Sequence, residues 1–477
     1  MLFNSYTYLL IFLPVVFVIY HLLNNLKLKN SPKIFLIIAS SIFYTYLDFS
    51  NFIIIFISIL LNYVGYILLK KNRNKSTLVF FIIINLIILA YYKYYDFILS
   101  NIFFLHKDNY IQKSAIIPLA ISFFTFQQLA FLVGVYKKSF SKVTLSDYVL
   151  FIIFFPQLIA GPILNYKDTY YQFSSFVLKK INLQNVRNGL ILISFGLFKK
   201  VIIADYFLIV VNNSYNNVES LNFFSSWVAS LSYTFQIYFD FSGYIDIAIG
   251  SALLFNIILP INFNSPYKST NIREFWNRWH ITLSNFLKNH IYIPMGGNRI
   301  SSTATSRNLL ITFVIGGLWH GAGWNFVIWG FLHAVALIVV NFFNKITIKL
   351  NRYVAWFVTF NFINISWIFF RIDNYKEAFL VLKKMFALEK IILPTFFKNY
   401  FNIDFIEYSN VFNNIEDVNK TFIFLFTSFI IVIFLSNNNR FIENKKNKLN
   451  IAFIAGLAFI ISIIGINKTS AFIYFNF

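Results

Sequence analysis

The sequence predicts an all-α polytopic integral membrane protein, and three observations carry that reading. Hydrophobic residues fill 58% of the 477 positions and charged ones 12%, with a mean hydropathy of +0.66, a balance too apolar for soluble domains. Apolar runs of about 17 to 25 residues recur almost to the end of the chain, the length a helix needs to cross a hydrocarbon core of about 30 Å. The runs do not alternate with period two, so helices are expected and a barrel is not. About ten to twelve membrane helices in a single membrane domain follow, with no internal repeat.

Charge and cysteine content exclude several function classes. The net charge is +22, yet the Lys and Arg residues sit in short polar breaks between apolar runs, where the positive-inside bias puts them. The charge therefore points to a lipid bilayer and not to nucleic acid. Cysteine is absent, which excludes disulfides, thiolate metal sites and a cysteine acyl-enzyme on this chain.

The first apolar run, Tyr6 to Leu23, has no basic residue before it, and the first to follow is Lys27. That polarity predicts a retained membrane helix and no cleaved leader. Lys27, Lys29 and Lys33, then Lys70, Lys71, Arg73 and Lys75, then Lys137, Lys138 and Lys142 mark alternate loops, while Asp48 interrupts the pair of runs between the first two groups. Cytoplasmic placement of the basic loops would put the N-terminus and the segment from Lys93 to Ser114 outside.

From Asp147 to Leu164, Pro156, Gly161 and Pro162 break an apolar run too short to cross comfortably. A re-entrant or kinked element covered by protein is one reading, and an ordinary proline-kinked helix is the other. Gly189 to Val211 reads as a span interrupted by Lys199, Lys200 and Asp205, so that part of it is interfacial. Leu231 to Gly250 carries Asp240 and Asp246 in an apolar run. Each carboxylate there costs about 2.5 to 3.5 kcal/mol and should face a cavity or a partner. Six residues apart on a helix, the two are displaced by about 120°, so they do not form a shared two-carboxylate site, and pairing with basic residues is favoured over catalysis for either. Further spans are expected over Leu309 to Phe343, with a turn or break inside it, and over Tyr353 to Phe370. Lys383 to Lys420 reads as an extramembrane loop or small cap, followed by Thr421 to Leu435 and Ile451 to Ile466.

Between these lies the stretch with chemistry in it. Asn271 to Leu287 has the period of an amphipathic helix, with Arg273, Asn277, His280 and Ser284 on one face and Trp276, Trp279, Leu283 and Phe286 on another. Glu274 and Arg278 have the i, i+4 spacing of a helix ion pair. Arg273 and Arg278 suit an anionic substrate such as the phosphates of coenzyme A, and equally the headgroups at a membrane surface. Tyr292 to Arg299, YIPMGGNR, predicts a tight turn with exposed amides. In GGLWHGAGWNF, Gly316, Gly317, Gly321 and Gly323 with Trp319 and Trp324 predict a slot around His320. A neutral imidazole there can act as general base, and a histidine bracing packed helices is the competing reading. His21, His106, His290 and His333 read as structural, and no spacing suggests a metal site or a serine nucleophile.

These residues resemble the membrane-bound O-acyltransferase family, in its alginate and peptidoglycan O-acetyltransferase branch and more distantly the teichoic-acid D-alanylation protein DltB. The matching segments are PLAISFFTFQQLAF, FFPQLIAGPI, FQIYFDFSGYIDIAIGSALLF, INFNSPYKSTNIREFWNRWHITLSNFLKNHIYIPMGGNR, GGLWHGAGWNFVIWG and the terminal FIYFNF. Trp279–His280 followed by Trp319–His320 is the most specific of them. The resemblance implies membrane helices with re-entrant and interfacial ones ringing a central funnel, and a catalytic core of about 115–345.

It also implies that His320 is catalytic with His280 as its companion, that Asn277 and His280 position the donor beside Trp319, and that Asp240 or Asp246 orients the site. The donor would be acetyl-coenzyme A or another acyl thioester on the cytoplasmic side, as substrate, with no resident cofactor. The acceptor would be an envelope or secreted polysaccharide at the outer face of a bacterial cytoplasmic membrane, reached through an extracytoplasmic partner of the SGNH-esterase type. One departure is that the family's Val-Asp-Val-Tyr-Arg is VGVYK here, with Gly134 at the acidic place. D-alanyl transfer of the DltB type and a proton-coupled anion transporter are the alternatives, the latter disfavoured by the lack of inverted repeats.

Overall fold

Apolar runs without period-two alternation have folded as helices. The computed structural model describes residues 1–26, 30–46, 48–101, 103, 117–140, 143–174, 180–345, 350–387, 391–399, 406–409, 415, 417–438, 448–466 and 470–473. Of the features expected from sequence, Lys27, Lys29, Lys142, His106, Asp404, Glu416, Arg440, Lys445, Lys446 and residues 474–477 lie outside them. Among the described residues, Thr7–Asn25, Ser50–Lys71, Lys75–Asn101, Phe223–Leu254, Trp324–Phe343 and Arg352–Arg371 are long and apolar enough to cross a membrane. Shorter apolar helices occupy Ser31–Thr45, Ile121–Tyr136, Val418–Phe434 and Leu449–Gly465. This is a multi-pass membrane protein.

The chain divides into two compact units. The first comprises Met1–Leu197, Tyr244–Ile261 and Ile442–Phe477. It contains α1 (Leu13–Asn25), α2 (Ser31–Thr45), α3 (Ser50–Lys71), α4 (Lys75–Leu89), α5 (Tyr95–Asn101), α6 (Ile121–Tyr136), α7 (Leu145–Ile153), α8 (Phe155–Leu158), α9 (Tyr166–Ser174) and α10 (Leu183–Leu197). Buried amides tie α3, α4 and α6 together. Asn62 and Asn85 exchange hydrogen bonds of 3.0 and 2.8 Å, and Gln128 Oε1 accepts from Asn62 at 2.8 Å and from Ser58 at 2.7 Å. Where lipid offers no hydrophobic drive between helices, such polar contacts hold them. Lys33, expected as a loop cation, is instead buried in α2 and paired with Asp147 at 2.7 Å.

The run from Asp147 to Leu164 is a broken helix and not a continuous kinked one. The backbone turns at Phe154 (φ −52°, ψ 110°), and residues 150–164 are buried. Side chains satisfy backbone groups that the break releases: Phe155 N–H donates to Ser40 Oγ, Ala160 N–H donates to the Tyr244 hydroxyl, and Phe151 C=O accepts from Gln157 Nε2. Irregular backbone is tolerated at such depth only when protein covers it in this way. Gly134 packs against Phe140, whose ring would lie 2.7 Å from a Cβ at that position. The site left neutral by this sequence thus has an aromatic ring where a side chain would go.

The second unit comprises Phe198–Gly243 and Asn262–Phe441. A wide π-turn, Phe198–Ala204, opens into α11 (Asp205–Tyr215), and the long α12 (Phe223–Leu254) follows. The charges that interrupt this span are paired within the protein: Lys200 is buried and lies 2.8 Å from Asp205 and 2.7 Å from Asp240. Next come α13 (Ile272–Arg278), α14 (Ile281–Leu287), α15 (Ser302–His320), α16 (Trp324–Lys345), α17 (Arg352–Arg371) and α18 (Tyr375–Met385). Two short parallel strands, β1 (Ile391–Pro394) and β2 (Ile406–Ser409), precede α19 (Val418–Phe434). The strands fall in the stretch expected as a polar loop or cap.

Candidate active site

The expected helix from Asn271 to Leu287 is in fact two. Asn271 caps α13 by accepting from Glu274 N–H at 2.9 Å, and Glu274 Oε2 accepts from the Thr270 amide and hydroxyl. Glu274 Oε1 takes two bonds from Arg278, at 3.0 and 2.8 Å, which is the ion pair the spacing predicts. Burial pushes the Glu274 carboxyl up, but the Thr270 and Arg278 hydrogen bonds outweigh it and the net shift is downward. The Arg278 guanidinium also donates to Asn264 C=O at 3.1 Å, so its donors face protein groups.

Helical periodicity continues through Trp279 and His280, yet the backbone does not. His280 adopts a left-handed conformation (φ 43°, ψ 53°), a strained choice for a non-glycine residue. The segment ahead of it explains why. Asn264 N–H donates to Arg278 C=O at 2.9 Å and Ile281 N–H donates to Asn262 C=O at 3.0 Å. The Asn262 side chain then receives Thr282 N–H at 3.0 Å and Thr282 Oγ1–H at 2.9 Å, and its Oδ1 lies 3.4 Å from His280 Nδ1. Burial lowers the His280 pKa from the ordinary histidine value to about 3, so the ring is neutral at physiological pH.

His320 ends α15 where a break of three residues, Gly321–Gly323, separates it from α16, the break expected inside Leu309 to Phe343. The two helices cross at backbone contact: a Cβ on Gly317 would lie 2.2 Å from Phe326 O, and one on Gly330 would lie 2.3 Å from Phe313 O. A Cβ on Gly321 would strike the Phe326 ring at 1.9 Å. Glycine here serves the helix crossing, and does not leave the open slot expected beside the imidazole. What surrounds His320 is aromatic: Trp319 at 4.8 Å, Phe370 at 4.9 Å and Trp329 at 5.2 Å between ring centroids, all edge-on. Trp319 also lies 6.1 Å from His280, so one indole touches both histidine rings.

His333 joins the same cluster. Its Nδ1 accepts from Trp276 Nε1–H at 3.3 Å. The neutral ring then carries its proton on Nε2, which donates to Ser366 Oγ at 3.2 Å, and Ser366 donates onward to Ile363 C=O at 2.8 Å. Every polar atom of that chain is matched.

Beside this cluster a cleft of about 1070 Å³ is lined by Arg273, Asn277, Lys288, Tyr292, Asn341 and a row of serines and threonines from 301–306 on one side, with Leu309, Phe313, Leu337 and Ile338 supplying apolar wall. Among the described residues, no carboxylate lines it. Arg273 donates to the side-chain oxygen of Asn341. The Gly296–Gly297 turn is present with positive φ at both glycines, but its amides are not exposed toward an anion: those of Met295, Gly296, Gly297 and Arg299 donate to carbonyls within the turn.

The residues singled out from sequence therefore separate. His280, Trp319 and His320 share the aromatic cluster, and Arg273 and Asn277 line the cleft. Arg278 faces Glu274, and Asp240 belongs to the Lys200 ion cluster. Asp246 is buried on the part of α12 that belongs to the first unit. Sequence reasoning passed over Asn262, Trp276 and His333 as site residues. Asn262 lies 18 positions from His280 with no periodicity linking them.

A model of the membrane-bound O-acyltransferase family matches residues 104–374. Over its whole length the chain is 39% identical to a peptidoglycan O-acetyltransferase of Helicobacter pylori, of which it covers 98%. It is 33% identical to "Probable alginate O-acetylase AlgI" of Pseudomonas aeruginosa, over 81% of this chain and 75% of that protein. It is 25% identical to a teichoic acid D-alanyltransferase of Streptococcus thermophilus, over 53% of this chain and 68% of that protein.

Proposed function

This chain belongs to the membrane-bound O-acyltransferase family, and we propose from that premise that it O-acetylates a cell-envelope polysaccharide, drawing acetyl from acetyl-coenzyme A. The single observation that carries the reading is the pairing of an enclosed histidine cluster with a large cleft lined by Arg273 and Lys288 and, among the described residues, by no carboxylate. Arg273 and Lys288 suit the phosphates of the donor, the row of hydroxyls suits its ribose and amides, and the apolar wall suits the pantetheine arm. A 39% identity to a peptidoglycan O-acetyltransferase along the whole chain, against a partial match to a D-alanyltransferase, favours acetyl over D-alanyl.

In this mechanism His320 takes the proton of the attacking hydroxyl as its oxygen bonds to the acyl carbon. The carbon–sulfur bond breaks, and the proton passes to the departing thiolate. The aromatic wall excludes water, which would otherwise hydrolyse the thioester. Trp319 fixes the His320 ring against His280, and the left-handed turn at His280 holds that second imidazole in place. The chain has no cysteine, so a relay through the serine of an extracytoplasmic SGNH-type partner accounts for onward delivery to the glycan. The bacterial cytoplasmic membrane is the site of action in this reading.

The test is transfer of labelled acetyl from acetyl-coenzyme A into the envelope fraction by membranes carrying the native chain or His320→Ala, with and without the partner. Label lost in the mutant at equal protein level is expected. Equal labelling in both would return His320 to a role in helix packing.

A further inference from the structure

One side chain belongs both to the cleft and to the cluster around His320. Trp276 lines the cleft beside Arg273 and Asn277, and its ring meets Phe313 at 5.0 Å and Trp329 at 5.8 Å, both edge-on. Trp329 in turn meets His320 at 5.2 Å. The Trp276 indole thus stands on the cleft side of His320, with the Trp329 ring between them. The indole is held in place by the bond from its N–H to His333 Nδ1, and His333 is anchored through Ser366 to the backbone of α17. Swinging the ring aside would strand a buried donor and a buried acceptor together, which interiors avoid.

Resting on the donor reading above, we propose that Trp276, latched by His333, sets the length of the acyl group that reaches His320, admitting acetyl and rejecting a chain two methylenes longer. Leu309, Leu337 and Ile338 give the cleft an apolar wall, so a longer acyl chain is not repelled by polarity. Only a rigid obstacle can exclude it, and packed interiors yield little to an added methylene. Trp276 is such an obstacle because it is pinned at its far end by a hydrogen bond as well as by packing. His333 is then a positioning residue that acts through the indole.

The test presents membranes with equal acetyl- and butyryl-coenzyme A carrying different labels and reads the ratio of the two products. Because both products come from one sample, a lower amount of folded protein lowers them together and leaves the ratio intact. The native chain should favour acetyl by at least about tenfold, the discrimination a tight apolar site gives per methylene or two. Trp276→Ala should raise the butyryl share at least about tenfold, and His333→Ala should raise it by less, in the same direction. Should Trp276→Ala give no product, Trp276→Phe decides, since it keeps an aromatic ring, removes the N–H and should give an intermediate ratio. Acetyl transfer with the same ratio in the native chain and these variants overturns this inference alone. A native chain that transfers neither group overturns the donor reading and this inference with it.

Discussion

Asn262 Oδ1 lies 3.4 Å from His280 Nδ1 while also accepting the amide and hydroxyl of Thr282. One buried amide thus fixes both the start of α14 and the ring ahead of it. We predict that Asn262→Ala, which leaves the buried Thr282 donors without their acceptor, costs about 2 to 3 kcal/mol and lowers acetyl transfer more than the stability loss explains. Thr282→Val removes one bond and leaves Asn262 beside His280, so it should cost about 1 kcal/mol with transfer near native. Thermal melting of detergent-purified protein and the label assay, run side by side, check this. Native transfer by Asn262→Ala would separate His280 from the reaction.

The glycines at the α15–α16 crossing divide into two kinds, and substitution should tell them apart. Gly317→Ala or Gly330→Ala places a methyl within 2.3 Å of a backbone oxygen of the facing helix, which can be relieved only by moving one helix against the other. Overpacking of that sort costs typically about 1 to 3 kcal/mol and displaces His320 at the end of α15. Gly316→Ala meets only the flexible tip of Leu287, at 3.0 Å, and should keep both melting temperature and transfer near native. Equal losses at all three positions would show that the crossing does not set the position of His320.

How much of this was legible in the sequence depends on how far each interaction reaches. The spans, the break between α15 and α16, and the Glu274–Arg278 pair follow from composition, glycine placement and a four-residue spacing. The break at Trp279–His280 was not legible, because apolar periodicity runs straight through it and the group that stabilises the turn, Asn262, is distant in sequence. The partner of Lys200 was not legible for the same reason: the carboxylate that accepts it is Asp240, forty positions away. His333 looked structural, and its matched hydrogen bonds agree with that. Only the fold reveals that the ring it holds is a wall of the cleft.

The Lys200 cluster gives a prediction about stability with no direct bearing on the histidines. With side-chain exposures of 1% for Lys200 and 2% for Asp240, removing the cation alone leaves the buried Asp240 carboxylate beside the partly exposed one of Asp205 with no cation between them. We expect Lys200→Met to lose about 3 to 5 kcal/mol, seen as a fall in the amount of folded protein in membranes. Lys200→Met with Asp240→Asn should recover part of it, because the pair then loses charge on both sides. A double variant no better than the single one would mean that packing, and not charge, is what Lys200 supplies.

Burial of a neutral His280 also dictates how stability responds to acid. The unfolded chain protonates this imidazole below about pH 6.5, whereas the folded chain resists until about pH 3. Between those values the unfolded state binds more protons, so stability is fully present above pH 6.5 and is lost as the pH falls toward 3. At pH 5 the loss due to His280 should be about 2 kcal/mol relative to pH 7. His280→Asn cannot titrate, so its melting temperature should fall less between pH 7 and pH 5 than that of the native chain. Parallel slopes for the two would place the acid sensitivity on other groups and argue that His280 is solvated, against the enclosed aromatic site in which it is found.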